Sequence, residues 1–152
     1  MKKKINGIWL FGYSGTGKTF ASKLIKKKIK NSILIDGDDV RKCISNDLTY
    51  IKKDRIIQTK RILGFSKICI NQKFFPIIST SFLSKKISNL AKKNNIQILE
   101  ITRNKSELFK KVKNKKNVVG IDIFYEKFSR KKIFNDNNFR SKINKFLNGL
   151  NI

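Results

Sequence analysis

The chain has 152 residues, with 36 Lys and Arg against 10 Asp and Glu, no histidine, two cysteines and 39% hydrophobic residues. That length gives one domain, residues 1–152, with a complete core and no room for a second. Zinc sites needing imidazole and histidine-based acid–base schemes are excluded, Cys43 and Cys69 have neither C-x-x-C nor metal-ligand spacing, and no apolar run reaches the roughly 18 residues of a membrane span.

The basic start Met1-Lys2-Lys3-Lys4 has an apolar continuation that stops at Phe11, short of a signal-peptide core, so a cytoplasmic protein is expected. Ile8–Phe11 reads as a short buried strand, and Ala21, Leu24, Ile25 and Ile29 recur at helical spacing beyond it. Between them, Gly12-Tyr13-Ser14-Gly15-Thr16-Gly17-Lys18-Thr19 fits G-x-x-x-x-G-K-[ST]. The three glycines let the chain turn tightly and present successive backbone N–H groups to an anion at a helix start. Lys18 then adds a point charge toward the β- and γ-phosphates of ATP, and Thr19 offers a hydroxyl to Mg2+.

A second strand, Ile33–Ile35, runs into Asp36-Gly37-Asp38-Asp39-Val40-Arg41. In a parallel sheet that begins with a phosphate loop, a carboxylate at the end of a neighbouring strand lies beside the γ-phosphate. A carboxylate there can accept a proton from an attacking hydroxyl or hold the metal's water shell, so Asp36 is read as taking part in the chemistry and Asp39 as the cap of the next helix. Arg41 follows, and the helix expected over Tyr50–Asn71 places Arg55 and Gln58 on one face, with Ile56, Leu63 and Ile70 one heptad apart as its apolar stripe. Two guanidiniums and an amide converging from separate elements make a clamp for phosphate or sulfate oxygens.

Further strands are expected at Pro76–Thr80, Ile96–Leu99 and, more weakly, Lys132–Phe134, with helices after Ser84 and at Phe139–Leu147. Strands alternating with amphipathic helices indicate a three-layer α/β sandwich of the P-loop NTPase type, a mainly parallel sheet with helices on both faces. The segment Lys113–Arg130 has no clear period and is expected to move. The net charge of +26 does not single out nucleic acid: the lysines are scattered over nearly every helix, and lysine, asparagine, isoleucine and phenylalanine are all spelled by A/T-rich codons. A strongly positive surface still draws polyanionic small substrates into a cleft.

Four blocks in order resemble the adenylylsulfate kinases: Gly12–Thr19, Asp36–Arg41, Asp54-Arg55 with Arg61-Ile62, and Val119-Gly120-Ile121-Asp122 with Tyr125-Glu126. The resemblance runs over nearly the whole chain. It implies Mg2+-dependent transfer of the γ-phosphate of ATP to the 3′-hydroxyl of adenosine 5′-phosphosulfate in sulfate assimilation, with Asp36 as base. It further implies that Asp38, Arg41, Arg55 and Gln58 contact the acceptor, that Tyr50 stacks on its base, that Arg103 packs near the ATP adenine, that Val118, Val119, Gly120 and Ile121 belong to a mobile lid, and that Ser84 can carry phosphate. The sequence departs from the family where Thr49-Tyr50 replaces glycine-phenylalanine, Gln58 replaces asparagine, Val118 replaces phenylalanine, and proline is missing after Ser84 and before Tyr125.

Three readings follow: an adenylylsulfate kinase; a kinase of the same type acting on another nucleotide acceptor such as a cytidine derivative; and a module that holds ATP without phosphorylating a small molecule. Each takes a small nucleotide as partner, with no specific nucleic acid and no membrane, and a homodimer stays open.

Overall fold

In the computed structural model, which describes residues 3–110, 112, 114–124 and 126–152, five parallel strands pair in the order β2-β3-β1-β4-β5. In chain order the elements are β1 Gly7–Phe11, α1 Lys18–Lys28, β2 Ser32–Asp36, α2 Gly37–Cys43, α3 Lys52–Asn71, β3 Phe75–Thr80, α4 Lys85–Lys93, β4 Ile96–Thr102, α5 Lys105–Lys110, β5 Lys131–Phe134 and α6 Phe139–Asn148. The sheet is covered on both sides, which is why β1 is an unbroken apolar run with every residue buried. Ile8 and Leu10 face Ala21 and Ile25 of α1 and Phe139, Ile143 and Leu147 of α6. Trp9 and Phe11 face Ile62 and Leu63 of α3 and Ile87 and Ala91 of α4. The buried indole N–H of Trp9 donates to Thr80 Oγ1 at 2.9 Å, and that hydroxyl donates on to the Phe82 carbonyl at 2.8 Å, so the core carries no unpaired group there.

The fold class and all five strands agree with the sequence expectation. Three details differ. β4 continues through Glu100 to Thr102 because that carboxylate, 8% exposed, is paired with Arg130 Nε at 2.7 Å, so a charge that looked like a strand end is accommodated inside. α3 buries Gln58, Thr59, Ile62, Leu63, Ser66 and Cys69, so its buried line is not the heptad through Ile56 and Ile70, and Ile68 is 59% exposed. Two of its polar residues are buried at little cost, since Thr59 donates to the Arg55 carbonyl at 3.0 Å and Ser66 to the Ile62 carbonyl at 2.7 Å. The short α5 was not anticipated.

The chain order reverses at β1, which lies between β3 and β4. A crevice at the carboxyl ends of β1, β3 and β2 is the expected place for a ligand in such a sheet. No helix among the described residues is long and apolar enough to cross a membrane.

Candidate active site

The crevice is a cleft of about 840 Å³. On one side the loop after β1 contributes Ser14, Gly15, Gly17, Lys18 and Thr19, and on the other β2 ends in Asp36, followed by Gly37, Asp38 and Arg41 of α2. Asp36 pairs in register with Ser79, and Ser79 with Leu10, so two strand spacings, roughly 10 Å, separate the Asp36 backbone from the end of β1 that leads into the phosphate loop. That gap suits a hydroxyl and the phosphoryl group it attacks. Lys18 feels the charges of both Asp36 and Asp38. The structure corrects the capping assignment: the N-cap of α2 is Asp36 itself, whose Oδ1 accepts from the Asp38 N–H at 2.9 Å, while Asp38 and Asp39 lie in the first turn. Capping uses one carboxylate oxygen and leaves Oδ2 without a hydrogen-bond partner among the described residues.

Arg41 is almost fully buried and donates to the Leu48 and Thr49 carbonyls at 3.3 and 2.6 Å. Arg55 uses every side of its guanidinium: Nε donates to the Tyr50 carbonyl at 2.8 Å, Nη1 to Ser81 Oγ at 3.0 Å and Nη2 to the Asn117 carbonyl at 3.0 Å. Both arginines lie against the Tyr50 ring, at 4.5 and 5.4 Å from its centroid, and that ring is 53% exposed at the cleft mouth just before α3 begins. Asp54 fixes this turn by accepting from the Thr49 hydroxyl and N–H at 2.6 and 2.8 Å, which holds its carboxyl below the usual carboxylate range. Gln58, 5% exposed, donates from Nε2 to the Gly37 carbonyl at 2.6 Å, and its Oε1 is buried without a partner among the described residues.

Val118 and Val119 close the cleft from above. The N–H groups of Ile121, Asp122 and Ile123 all converge on the Val118 carbonyl, and Asp122 Oδ2 accepts from the Val118 N–H at 2.8 Å, which makes a compact turn. Val119 and Ile123 bury against Phe82, with Tyr13 and Ile56 packed on the outside. Residues 118–123 of the segment expected to move are therefore folded here against Tyr13 of the phosphate loop. Gly120 has φ +99, and a Cβ there would lie 2.7 Å from Tyr13 ring carbons. Gly120→Ala is expected to lift this turn off Tyr13, raise the acceptor KM about tenfold and let ATP hydrolysis proceed without acceptor. Steady-state kinetics with unchanged KM and no added hydrolysis would contradict it.

Several expected site residues fall outside the cleft. Thr16 and Gly12 are buried within the loop itself, and Ile121 is exposed beside Gly120 on the outer side of the turn. The Tyr13 ring faces away from the cleft, toward Gly120 and Phe109, and lines a separate cavity of about 270 Å³ together with Arg103. Arg103 pairs with Glu107 one turn along α5 at 3.5 Å. Ser84 is 4% exposed and is the N-cap of α4, with Oγ accepting from the Ile87 N–H at 3.3 Å, while the neighbouring Lys85 N–H is taken by Glu126 at 2.6 Å. The hydroxyl expected to carry phosphate is here enclosed and engaged as a helix cap. Tyr125 of the fourth motif, Lys113 and Met1-Lys2 lie outside the described residues. Residues not anticipated are Ser81, Asn117, Lys115 and Lys116, all lining the cleft. Only Ser81 carried a signal, its place just past the end of a predicted strand.

The sequence model of the adenylylsulphate kinase family matches residues 4–134. The chain belongs to the adenylylsulphate kinase family. Membership makes it a phosphotransferase. A cytidine diphosphoramidate kinase of Campylobacter jejuni is 29% identical over 162 aligned positions, covering 94% of this chain and 95% of the relative. An adenylyl-sulfate kinase of Clostridium kluyveri is 27% identical over 150 positions, covering 83% and 74%. Among solved structures, the Mycobacterium tuberculosis APS kinase CysC in complex with AMPPNP and APS superimposes with a TM-score of 0.76 at 16% identity, covering 95% of this chain and 96% of that one, which supports the fold.

For a kinase of this family the oxygen-only donor set suits magnesium. The Thr19 hydroxyl and the Asp36 and Asp38 carboxylates line one cleft, and the described residues hold no cluster of three or more His, Cys, Asp or Glu. Magnesium needs no such cage, because it keeps waters and takes substrate phosphates. The Lys18 ammonium donates to the Tyr13 carbonyl at 2.8 Å. Desolvation inside the loop lowers its pKa from 10.5 to about 8, with Asp36 and then Asp38 pulling it back up. ATP binding needs the charged form, so affinity is expected to fall above pH 8 by up to about tenfold per pH unit. Titration with ATP from pH 7 to 9.5 reads this, and a flat profile would contradict it. Without ATP the linkage runs the other way. Between about pH 8 and 10.5 the unfolded chain holds this proton and the folded one does not, so this group's contribution to stability rises with pH across that window.

Proposed function

We propose that the chain transfers the γ-phosphate of ATP to a ribose hydroxyl of a nucleotide that carries a second charged group on its 5′ phosphate. The observation that carries this reading is the single cleft lined by Lys18, by Asp36, whose charge reaches Lys18, and by Arg41 and Arg55. The main-chain amides of Gly15–Thr19 grip the triphosphate, and Lys18 neutralises charge on its outer oxygens as the bond to the leaving oxygen stretches. Asp36 Oδ2 receives the proton of the acceptor hydroxyl while Oδ1 stays tied to Asp38, which fixes the carboxylate's direction. Thr19, with Asp38 in the same cleft, would hold magnesium, which when bound adds cationic support to the phosphate oxygens and leaves Asp36 Oδ2 for the proton. Arg41, Arg55, Lys115 and Lys116 supply positive charge for the acceptor's tail. The presence of Lys18, Thr19 and Asp36 together argues against a module that merely holds ATP.

Two acceptors fit that description: a cytidine diphosphoramidate and adenylylsulfate. We favour the first. Gln58 lies one turn from Arg55 on the same helix face, and its buried Oε1 has no hydrogen-bond partner among the described residues. A sulfate tail brings only acceptor oxygens to this place, whereas an amidated phosphate brings N–H donors of the kind that an amide oxygen accepts. The relative of that name is also matched over almost its whole length. Adenylylsulfate, and with it sulfate assimilation, is the second reading, supported by Asp36, Arg41 and Arg55 standing in one cleft and by the family model. Initial rates with ATP and a panel of acceptors decide between them. A higher kcat/KM for the cytidine diphosphoramidate supports the first reading, a higher one for adenylylsulfate the second, and no transfer to either overturns both.

A further inference from the structure

β5 ends at Phe134, and the next residue turns back over the phosphate loop. The Asn135 N–H donates to the Thr102 carbonyl at 2.8 Å, which ties it to the end of β4. Its side-chain Nδ2 donates to the Thr16 carbonyl, also at 2.8 Å, a contact between residues 119 apart in sequence. Thr16 is fully buried, with its hydroxyl held by the Tyr13 carbonyl at 3.0 Å, so the whole peptide is gripped from behind. Gly17 follows with φ 101 and ψ 15, and no side chain caps α1 at this point. A Cβ on Gly17 would lie 2.4 Å from Asn135 Nδ2 and 3.2 Å from the Phe139 ring, so the glycine is what lets the asparagine approach.

A trans peptide is planar, with its C=O and N–H pointing in opposite directions. The Thr16 carbonyl and the Gly17 N–H belong to one such plane. Holding the carbonyl on the side away from the cleft therefore aims the Gly17 N–H into it, where Gly17 lines the wall. We infer that Asn135 is a positioning residue for the nucleotide loop: its side-chain amide sets the direction of the Thr16–Gly17 peptide and so the aim of one phosphate-binding N–H. This rests on the reading of Gly12–Thr19 as the ATP loop. Asn135 touches no substrate itself; it acts through the peptide plane and through no acceptor-side residue.

The test compares Asn135→Ala with the isosteric Asn135→Asp. Direct ATP binding is measured without acceptor, together with both KM values and the thermal midpoint of the ATP-free protein. Alanine removes one donor and is expected to weaken ATP binding about three- to tenfold. Aspartate keeps the shape but sets an oxygen and a negative charge against the Thr16 carbonyl, so its loss is expected to equal or exceed that of alanine. The acceptor KM stays within about twofold in both variants, and the midpoint within a few degrees. Aspartate binding ATP as well as the wild type would show that Asn135 only fills space, and an acceptor KM rising in step with that of ATP would show a general loosening; either result overturns the inference. Because ATP binding is read alone, failure of the proposed acceptor chemistry leaves this test intact.

Discussion

Lys18→Ala is expected to lower kcat by about three orders of magnitude while leaving the fold intact. The ammonium is enclosed by the loop, bonded to the Tyr13 carbonyl, and costly enough to desolvate that its pKa falls to about 8. A protein that keeps a cation there is stabilising something anionic, and the neighbouring carboxylates Asp36 and Asp38 only partly offset the burial. Alanine removes the charge where phosphoryl transfer concentrates it. None of the buried apolar residues on either face of the sheet depends on Lys18, so the thermal midpoint should move by only a few degrees. Single-turnover measurement separates loss of chemistry from loss of binding. A variant retaining a tenth of wild-type turnover would remove Lys18 from the transition-state account.

Asp36→Asn should reduce kcat by about 10²- to 10⁴-fold and change ATP affinity by less than about twofold. The substitution is clean for a structural reason. Asn caps helices as well as Asp does, so the bond to the Asp38 N–H and the start of α2 survive while the proton acceptor is lost. Asp36→Ala would also sacrifice the cap, about 1 kcal/mol, and would confuse the two effects. Full turnover in the asparagine variant would assign proton removal to another group.

Much of this site is local in sequence, and that part was legible. The loop Gly12–Thr19 sits between a strand and a helix, Asp36 ends the next strand, and the alternation of apolar blocks dictates a parallel sheet with its ligands at the carboxyl ends. What escaped is long-range. Arg55 could be seen to share a helix face with Gln58, but its bonds to Ser81 and Asn117 join segments 26 and 62 residues away. Glu100 looked like the end of a strand because its partner Arg130 lies 30 residues on. The buried face of α3 departs from the heptad because Thr59 and Ser66 satisfy their hydroxyls within the helix and so behave as core residues, a property that a hydrophobic periodicity does not register. Ser84, by resemblance a phosphate carrier, caps α4, and the missing proline after it leaves Lys85 free to donate its N–H to Glu126. Asn135 had no sequence signal: a lone asparagine after a weak strand acquires its significance only from what lies above it.

The central claim is that one hydroxyl of a nucleotide acceptor takes the γ-phosphate of ATP in the cleft between Lys18 and Asp36. Phosphorus NMR of the purified protein with ATP, magnesium and either cytidine diphosphoramidate or adenylylsulfate follows that phosphate directly. The expected result is loss of the γ-phosphate resonance with growth of a phosphomonoester signal coupled to a ribose proton, at least about a hundredfold slower with Asp36→Asn. Conversion of the γ-phosphate to inorganic phosphate alone, or ATP left unconsumed with both acceptors, would contradict it.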